Sequence, residues 1–338
     1  MSSYPVTMGV EEEVFVLEQG RMVPTLQSLD YMRRLLWANP RRYRKHCATN
    51  FARGRDQKVC FMGSIEISTG VHENVDSLIE DLIQRRTDFA LATRGAMVVP
   101  VGSLFTIDSP SNTSGLHIHF GVPAKERARV YDNLAYFMPV LAVASASSPF
   151  RKGTPFGLSY RIARPHALGE LREDREYRFQ DIIVTKRLGT IEIRVLDPVP
   201  DIERLRHILQ AALAVAHFAG RQPFDRSEHN RMRADWAERG LTPWLETRLR
   251  ELQQVYPFPR GLLERTFAHE LREIAEKDSF RAAYRRADAV WREPTGVPLA
   301  ERPHSRMRVL AGFGGFYAVR LPYMAVKGWR EWRGRPPA

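Results

Sequence analysis

The sequence predicts an α+β protein: an antiparallel β-sheet with helices on one face and a largely helical C-terminal part. Strand-like and helix-like stretches alternate over about the first 200 residues, whereas the chain after about residue 201 has helical patterns almost throughout. In four of the strand-like segments, apolar and polar side chains alternate. This alternation is typical of antiparallel strands that pack one face on a core and leave the other open.

Local turn, capping and spacing patterns predict the individual elements. Residues 7–17 form the first predicted strand, and the turn at residues 18–21 with a short return to Val23 predicts a hairpin. Asn74 and Asp201 are predicted N-caps, because their side-chain oxygens can accept hydrogen bonds from the first N–H groups of a helix. The other predicted helices span residues 26–36, 75–94, 125–147 and the segment after Asp201, and the other predicted strands span residues 59–69, 97–102, 115–122 and 190–197.

Length and composition suit one enlarged globular domain. The chain has 338 residues, 43% of them hydrophobic, and no internal repeat or long low-complexity linker divides it. We therefore predict a single domain over residues 1–338, with the sheet and its helices in residues 1–215 and the helical C-terminal part in residues 216–338. The two cysteines, Cys47 and Cys60, form no C-x-x-C pair and indicate a reducing compartment.

The ends of the chain and its charge limit the classes of partner. Residues 1–8 lack the basic start and apolar stretch of a secretion signal, and charged residues and Pro322 interrupt the apolar segment 309–329. We expect a cytoplasmic location and no membrane partner. The net charge of +12 is explained most simply by a solvated surface or by anionic small substrates. Basic and aromatic residues do not interleave regularly, which argues against dedicated nucleic-acid binding.

Four strands concentrate acids, histidines and an arginine on one predicted face. Because successive strand residues point to opposite faces, Ile65, Ile118 and Ile193 belong to the core side of their strands. The first strand places Val10, Val14 and Val16 on one side together with Glu12. The opposite face receives a set that is far more specific than generic polar surface: Glu11, Glu13, Glu66, His117, His119, Glu192 and Arg194.

This set predicts a site for divalent cations and phosphate. Four converging carboxylates repel one another unless cations lie among them. Oxygen-rich ligation with an occasional imidazole suits Mg²⁺, or Mn²⁺, better than zinc. Arg194 beside such cations is suited to a phosphate oxygen. The sequence has no P-loop, no dinucleotide-binding fingerprint and no G-x-S-x-G motif, so nucleotide binding would use metals on the sheet.

Several motifs in these strands resemble the type 2 glutamate–cysteine ligase family, bacterial carboxylate–amine ligases distantly related to glutamine synthetase. The resemblance covers about the first 215 residues and is specific because the motifs occur together and in the family's order. The matching stretches are T-M-G-V-E-E-E-V-F-V-L-E at residues 7–18, G-S-I-E-I-S-T at 63–69, G-L-H-I-H-F-G-V at 115–122, A-S-A-S-S-P-F at 144–150, S-Y-R at 159–161 and T-I-E-I-R-V-L-D at 190–197.

The resemblance implies a glutamine synthetase-like, saddle-shaped antiparallel sheet with helices on its convex face and ATP and divalent metals over its concave face. ATP would phosphorylate a carboxylate, typically the γ-carboxylate of glutamate, and an amine such as cysteine would attack the acyl phosphate to give an amide.

The resemblance also implies roles for individual residues. Arg194, Glu13 and Glu192 would be catalytic, with Arg194 on the transferring phosphate. His119 would lie near the nucleotide, and Lys186 and Arg187 are further candidates for nucleotide contacts. Arg161 and Glu66 would contact the amino-acid substrate. The metal ligands would be Glu11, Glu13, Glu66, His117 and Glu192.

The chain departs from the family pattern where the substrate pockets are expected. Residues 153–157 read G-T-P-F-G where family members usually carry an aspartate and a threonine before the glycine. The stretch between S-Y-R and T-I-E-I-R-V is short and basic and lacks an expected tryptophan-rich segment. In the C-terminal part, only N-R-M-R-A at residues 230–234 is similar to a family feature, an asparagine–arginine helix start.

Two other functions stay open at this point. The same metal and phosphate site could transfer phosphate to a small acceptor without forming an amide. Alternatively, the sheet could be a relic in a non-enzymatic protein whose basic surface binds nucleic acid. A homo-oligomer is compatible with every one of these hypotheses.

Overall fold

The first strand lies inside an antiparallel sheet and pairs along its length with three other strands. The computed structural model describes residues 4–44, 46–51, 62–108, 112–164, 166–169, 179–185 and 188–333. Its strands are β1 (Thr7–Leu17), β2 (Cys47–Phe51), β3 (Met62–Ser68), β4 (Met97–Val99), β5 (Leu116–Gly121), β6 (Phe150–Arg151), β7 (Thr154–Pro155), β8 (His166–Ala167), β9 (Phe179–Gln180), β10 (Ile182–Val184) and β11 (Ile191–Leu196). In the main sheet the order is β10–β11–β5–β1–β3–β2, and β4 pairs with the far end of β1.

Helices cover the sheet and form most of the C-terminal part. They are α1 (Ser28–Ala38), α2 (Pro40–Tyr43), α3 (Val75–Ala92), α4 (Arg127–Ser145), α5 (Tyr160–Ala163), α6 (Ile202–His217), α7 (Arg226–Arg239), α8 (Pro243–Val255), α9 (Gly261–Glu264), α10 (Phe267–Lys277), α11 (Phe280–Arg292) and α12 (Arg306–Arg333), with short 3₁₀ turns at Ala124–Glu126 and Glu293–Thr295. Both predicted N-caps are confirmed: Asn74 accepts from the Ser77 N–H and Asp201 from the Arg204 N–H. The predicted α+β class is confirmed.

The apolar side of the sheet packs against α3, α4 and α6. Val10, Ile118 and Ile193, one from each of three neighbouring strands, are at most 2% exposed and belong to one buried cluster with these helices. The predicted division of each strand into an apolar and a polar face is therefore confirmed for β1, β5 and β11. Helices on the apolar face leave the polar face of the same strands available for chemistry.

The predicted hairpin after the first strand is wrong. The chain does turn after β1, with a hydrogen bond from the Arg21 N–H to the Glu18 carbonyl, but it does not return along β1. The place beside the far end of β1 is taken by β4, and Gln19 bridges to Pro303. Val23 instead packs against the buried cluster that β1 and β4 form with the C-terminal helices α10 and α11. The predicted strand 97–102 ends early, at Val99.

The C-terminal helices contact the sheet directly. On the side of β1 that carries Glu11 and Glu13, Phe15 and Leu17 are fully buried in a cluster with α10 and α11. The acidic face is therefore polar along the first half of β1 and closed by apolar packing along the second. A single domain over residues 1–338 stays a prediction, and these contacts between the sheet and the C-terminal helices support it. None of the helices in the described part of the chain is long and apolar enough to span a membrane.

Candidate metal and phosphate site

Two carboxylates and one imidazole, from three adjacent strands, come together on the polar face of the sheet. Glu11 of β1 lies directly opposite His117 of β5, and β11 pairs with the other edge of β5. His117 Nδ1 is 3.4 Å from Glu11 Oε2 and 3.5 Å from Glu192 Oε1. One ligand atom from each of these three residues lies within 4.8 Å of the other two. The cluster has the donors and the spacing of a cation site.

His119 shares the carboxylate of Glu11. Its Nε2 is 3.5 Å from Glu11 Oε1, and its Nδ1 is 3.4 Å from Thr190 Oγ1. Burial lowers the pKa of His119, but the hydrogen bond and negative charge of Glu11 outweigh burial and raise the pKa above its ordinary value. The two histidines of the H-x-H motif therefore flank a single acid.

The carboxylates of the face differ in their protonation tendencies. Burial alone would raise the pKa of Glu11, but hydrogen bonds from His117 and His119 hold it well below its ordinary value. The pKa of Glu66 is raised to about 8, first by burial and then by the negative charges of Glu11, Glu13 and Glu192. Such mutual repulsion is relieved when a divalent cation is bound. The residues present therefore fit Mg²⁺ or Mn²⁺, which prefer oxygen donors.

Glu13 and Glu66 form the next layer of the acidic face. They lie directly opposite each other on β1 and β3, two residues along β1 from Glu11. Glu13 is 8% exposed, and its N–H donates to the Gly115 carbonyl at 2.9 Å. The structure thus places all five predicted metal ligands on one face, with Glu11, His117 and Glu192 in the tightest group.

Arg194 brings positive charge to the edge of the cluster. Its Nε lies 3.1 Å from Glu192 Oε1, and its side chain keeps 32% of its surface exposed. The backbone of Arg194 is also fixed, because its N–H donates to the Asp181 carbonyl at 2.7 Å. A half-buried guanidinium beside a candidate metal ligand is well placed for an incoming phosphate oxygen.

Arg161 is positioned differently from its predicted role. Its side chain is 3% exposed, and its nitrogens donate to Thr113 Oγ1 at 2.6 Å and to the carbonyls of Val195 and Arg194 at 2.7 and 2.9 Å. Close approach of the guanidinium also requires glycine at position 115, where a Cβ would lie 2.2 Å from Arg161 Nη2. This geometry favours anchoring of β11 over the predicted contact with a substrate carboxylate.

Asp197 and two serines of the A-S-A-S-S-P-F motif hold the end of β11 in place. The sequence analysis did not assign this role to them. Asp197, directly after β11, is fully buried and accepts hydrogen bonds from the Ser147 N–H at 2.8 Å and Ser148 Oγ at 3.2 Å. Burial raises the pKa of Asp197. The serine-rich stretch at the end of α4 is the feature of the sequence from which a hydrogen-bonded partner such as Asp197 could have been inferred. Its serines fix the end of the strand that carries Glu192 and Arg194.

A second buried network holds the segment beside Arg194. Asp181 Oδ2 lies 3.1 Å from His229 Nε2 and pairs with Arg233, and all three side chains are at most 4% exposed. The neighbouring Asn230 amide bonds both the N–H and the carbonyl of Leu168. The asparagine–arginine start noted in the sequence therefore ties α7 to the segment that leads toward the site.

Two predicted nucleotide contacts, Lys186 and Arg187, lie outside the described residues. Their assignment stays a prediction.

Comparison with known proteins finds similarity to glutamate–cysteine ligases. The model of the family described as glutamate-cysteine ligase family 2 matches residues 109–164, which include the histidine strand and the S-Y-R motif. A Pseudomonas putida protein provisionally named glutamate–cysteine ligase 2 is 25% identical over 272 residues, or 63% of this chain and 70% of that protein. A Pseudomonas entomophila protein with the same provisional name is 31% identical over 138 residues, which cover 31% of this chain and 36% of its own length.

Solved structures agree on the fold. A glutamate–cysteine ligase from Francisella tularensis, in complex with AMP, superposes with a TM-score of 0.60 at 11% identity and covers 100% of this chain and 96% of its own. A bifunctional glutathione synthetase from Pasteurella multocida gives a TM-score of 0.50 at 10% identity, covering 86% of this chain and 52% of its own.

The resemblance to the type 2 glutamate–cysteine ligases is confirmed. The prediction that the chain is a ligase-type enzyme is supported by the same sequence relatives, and the fold is that of the glutamate–cysteine ligase structures.

Proposed function

We propose that this protein is an ATP-dependent carboxylate–amine ligase whose reaction takes place on the polar face of the sheet. The observation that carries the proposal is the gathering of Glu11, His117 and Glu192 within 4.8 Å, with Arg194 attached to Glu192 at 3.1 Å. Phosphoryl transfer requires positioned reactants and neutralised phosphate charge rather than a protein nucleophile. This face offers cation ligands and an arginine side by side.

Each residue has a distinct task in the proposed reaction. A magnesium or manganese ion held by Glu11, His117 and Glu192, with Glu13 and Glu66 alongside, would supply positive charge to the phosphates of ATP. Arg194 would bind the transferring phosphate and orient it toward the acceptor carboxylate. His119, held by Glu11 and Thr190, would lie along the nucleotide.

Glutamate as the carboxylate and cysteine as the amine are part of the proposal. They are supported by the provisional names of the sequence relatives and by the name of the solved ligase that shares the fold. The chain departs from the family motifs in the stretches that would form the acceptor pockets, and the second sequence relative is matched over 36% of its length. The acceptor specificity is therefore the part of the proposal that most needs measurement.

An ADP-release assay with magnesium, ATP and an array of amino acids and amines tests the proposal, with each product identified by mass. The expected product is an amide adduct that forms with one ADP per bond.

Glu192→Gln or His117→Ala should abolish ADP release while circular dichroism and the thermal midpoint show a folded protein. Glu276→Gln makes the same chemical change on the exposed surface of α10 and should leave turnover unchanged. Unchanged turnover in both site variants would refute the site assignment.

The same assay separates the two rival functions. A stable phosphorylated acceptor without an amide would identify a phosphotransferase at this site. Failure to bind ATP with magnesium, together with steeply salt-dependent binding of RNA or DNA, would identify a nucleic-acid-binding relic.

A further inference from the structure

The outer face of the last helix is apolar over most of its length. Seven of the large hydrophobic side chains described as exposed belong to α12 or to Trp37 beside it, whereas the others are scattered over the chain. Within residues 307–329, every position described as exposed is apolar: Met307, Leu310, Ala311, Phe313, Gly314, Ala318, Leu321, Pro322, Ala325, Val326 and Trp329. We call this set the α12 stripe.

The stripe is one face of a helix whose opposite face is fixed on the protein. Residues 307, 310, 314, 321 and 325 recur at spacings of three, four and seven, which bring side chains to a common side of a helix. On the other side, Phe316 is 2% exposed, and a Cβ at Gly312 would lie 2.4 Å from the Asp30 backbone nitrogen of α1. The stripe therefore points away from the body and extends over roughly 30 Å.

The sequence of the helix is basic. It has six arginine or lysine residues and a single acidic one, Glu331, and the whole chain has a net charge of +12. Arg306 is exposed at the start of the helix and Arg308 is half-buried, whereas Arg320 turns toward the body and donates to the Cys47 carbonyl at 2.6 Å. Beside the helix, the exposed Trp37 donates to the Gly315 carbonyl at 3.3 Å and lies under the Arg33 guanidinium.

From this surface we infer that α12 docks the protein on an anionic lipid surface, lying in the plane of the headgroups without crossing the bilayer. This inference replaces the expectation, drawn from the sequence, that the protein has no membrane partner. A helix with an apolar face, basic residues and tryptophan is typical of interfacial binding. None of the helices that the structure describes is long and apolar enough to span a membrane. A second copy of the chain is a poorer fit, because pairing two such helices would bring two sets of like charges together. Among the described residues of 307–329, no exposed polar side chain is present to specify a protein partner.

Vesicle co-sedimentation of the full chain tests this inference. The protein should pellet with vesicles of mixed phosphatidylcholine and phosphatidylglycerol, but not with phosphatidylcholine alone, and raised salt should weaken the binding. Leu310→Glu with Leu321→Glu should reduce partitioning at least about tenfold, because charged residues replace two apolar contacts. Both leucines are at least 59% exposed, so the double variant should keep its thermal midpoint.

A matched variant separates the stripe from general attraction by a basic protein. Val71→Glu with Leu91→Glu makes the same change in charge at two exposed apolar positions far from α12 in sequence, and this pair should retain binding. Equal losses in the two double variants would overturn the inference. So would the absence of binding to anionic vesicles. A dimer in sedimentation velocity that Leu310→Glu with Leu321→Glu dissociates, without vesicle binding, would assign the stripe to a second copy instead.

Discussion

The carboxylate of Glu12 and the guanidinium of Arg86 form a bidentate ion pair, and both side chains are fully buried. Arg86 Nε donates to Glu12 Oε2 at 3.1 Å and Nη2 donates to Oε1 at 2.5 Å. Trp291 Nε1, from the C-terminal part, donates to the same Oε2 at 3.0 Å. Because Glu12 stands between Glu11 and Glu13, its attachment behind the sheet fixes both acids toward the polar face.

Removing one partner of this pair should destabilise the protein strongly. Arg86→Ala leaves the Glu12 charge buried and unpaired, and we expect a loss of about 3–5 kcal/mol in the free energy of unfolding. Urea denaturation measures it. The double change Glu12→Leu with Arg86→Met should cost less than Arg86→Ala, because no charge is then buried. Its remaining cost comes from Trp291 Nε1 and the carbonyls of Val199 and Pro200, which lose their hydrogen-bond partners. Arg272→Ala, which breaks an exposed pair with Glu276, is the control and should cost under about 1 kcal/mol. A double variant as unstable as Arg86→Ala would contradict this account.

Binding of a divalent cation should be visible without any assay of turnover. At a magnesium or manganese concentration about 100-fold above the dissociation constant, the folded state gains about 2.7 kcal/mol and the thermal midpoint rises. Glu192→Gln should remove this rise because it takes one carboxylate from the cluster. Glu276→Gln should keep it. A rise that survives Glu192→Gln would place the cation elsewhere.

The contribution of Glu18 to the stability of the protein should fall as pH rises. This side chain is fully buried, it accepts a hydrogen bond from Thr25 at 3.0 Å, and burial raises its pKa from 4.5 to about 7. Below pH 4.5 the carboxyl is protonated in both folded and unfolded chains. Between pH 4.5 and about 7 only the unfolded chain releases the proton, so folding becomes less favourable by about 3 kcal/mol in total.

Glu18→Gln should remove this component of the pH dependence. Chemical denaturation at a series of pH values from 4.5 to 8 should show a flatter profile for the variant than for the parent chain. The exposed Glu276→Gln should follow the parent. The difference in unfolding free energy between the parent chain and Glu18→Gln should therefore decrease with rising pH. If this difference increased instead, the folded state would prefer the ionised carboxyl of Glu18, which would contradict the prediction.

Arg161→Lys distinguishes the anchoring role of Arg161 from the predicted contact with substrate. Lysine cannot reproduce the fork of donors to Thr113, Val195 and Arg194, so we expect a loss of about 3 kcal/mol in unfolding free energy. The KM for the carboxylate substrate, measured well below the melting temperature, should change little. Unchanged stability with a strongly raised KM would restore the role in substrate binding.

The polar face could be predicted from the sequence because strand residues alternate regardless of what lies beside them. That rule assigned Glu11, His117, Glu192 and Arg194 to the same side as Glu13 and Glu66 before any pairing was known. The same alternation placed Glu12 on the apolar side, where an unpaired carboxylate is too costly to persist. A buried cationic partner for Glu12 could therefore have been inferred, although its identity could not.

The order and register of the strands could not be predicted from local sequence patterns. Glu11, His117 and Glu192 meet because β5 lies between β1 and β11, and this order depends on contacts between segments more than 70 residues apart in sequence. The hairpin was wrong for the same reason. The turn at residues 18–21 forms locally, but β4 occupies the edge beside the far end of β1, where its Met97 and Val99 are buried in the same cluster as Phe15 and Leu17.

The sequence by itself determined which acidic, basic and histidine side chains share a face of each strand, since side-chain direction in a strand is a property of the local backbone. The tertiary structure alone decided which of them touch. It joined Glu11 to His117, gave Glu12 its partners Arg86 and Trp291, and turned the Arg161 guanidinium onto the carbonyls of β11. Long-range contacts of this kind depend on how the whole chain buries its apolar surface, which no local pattern encodes.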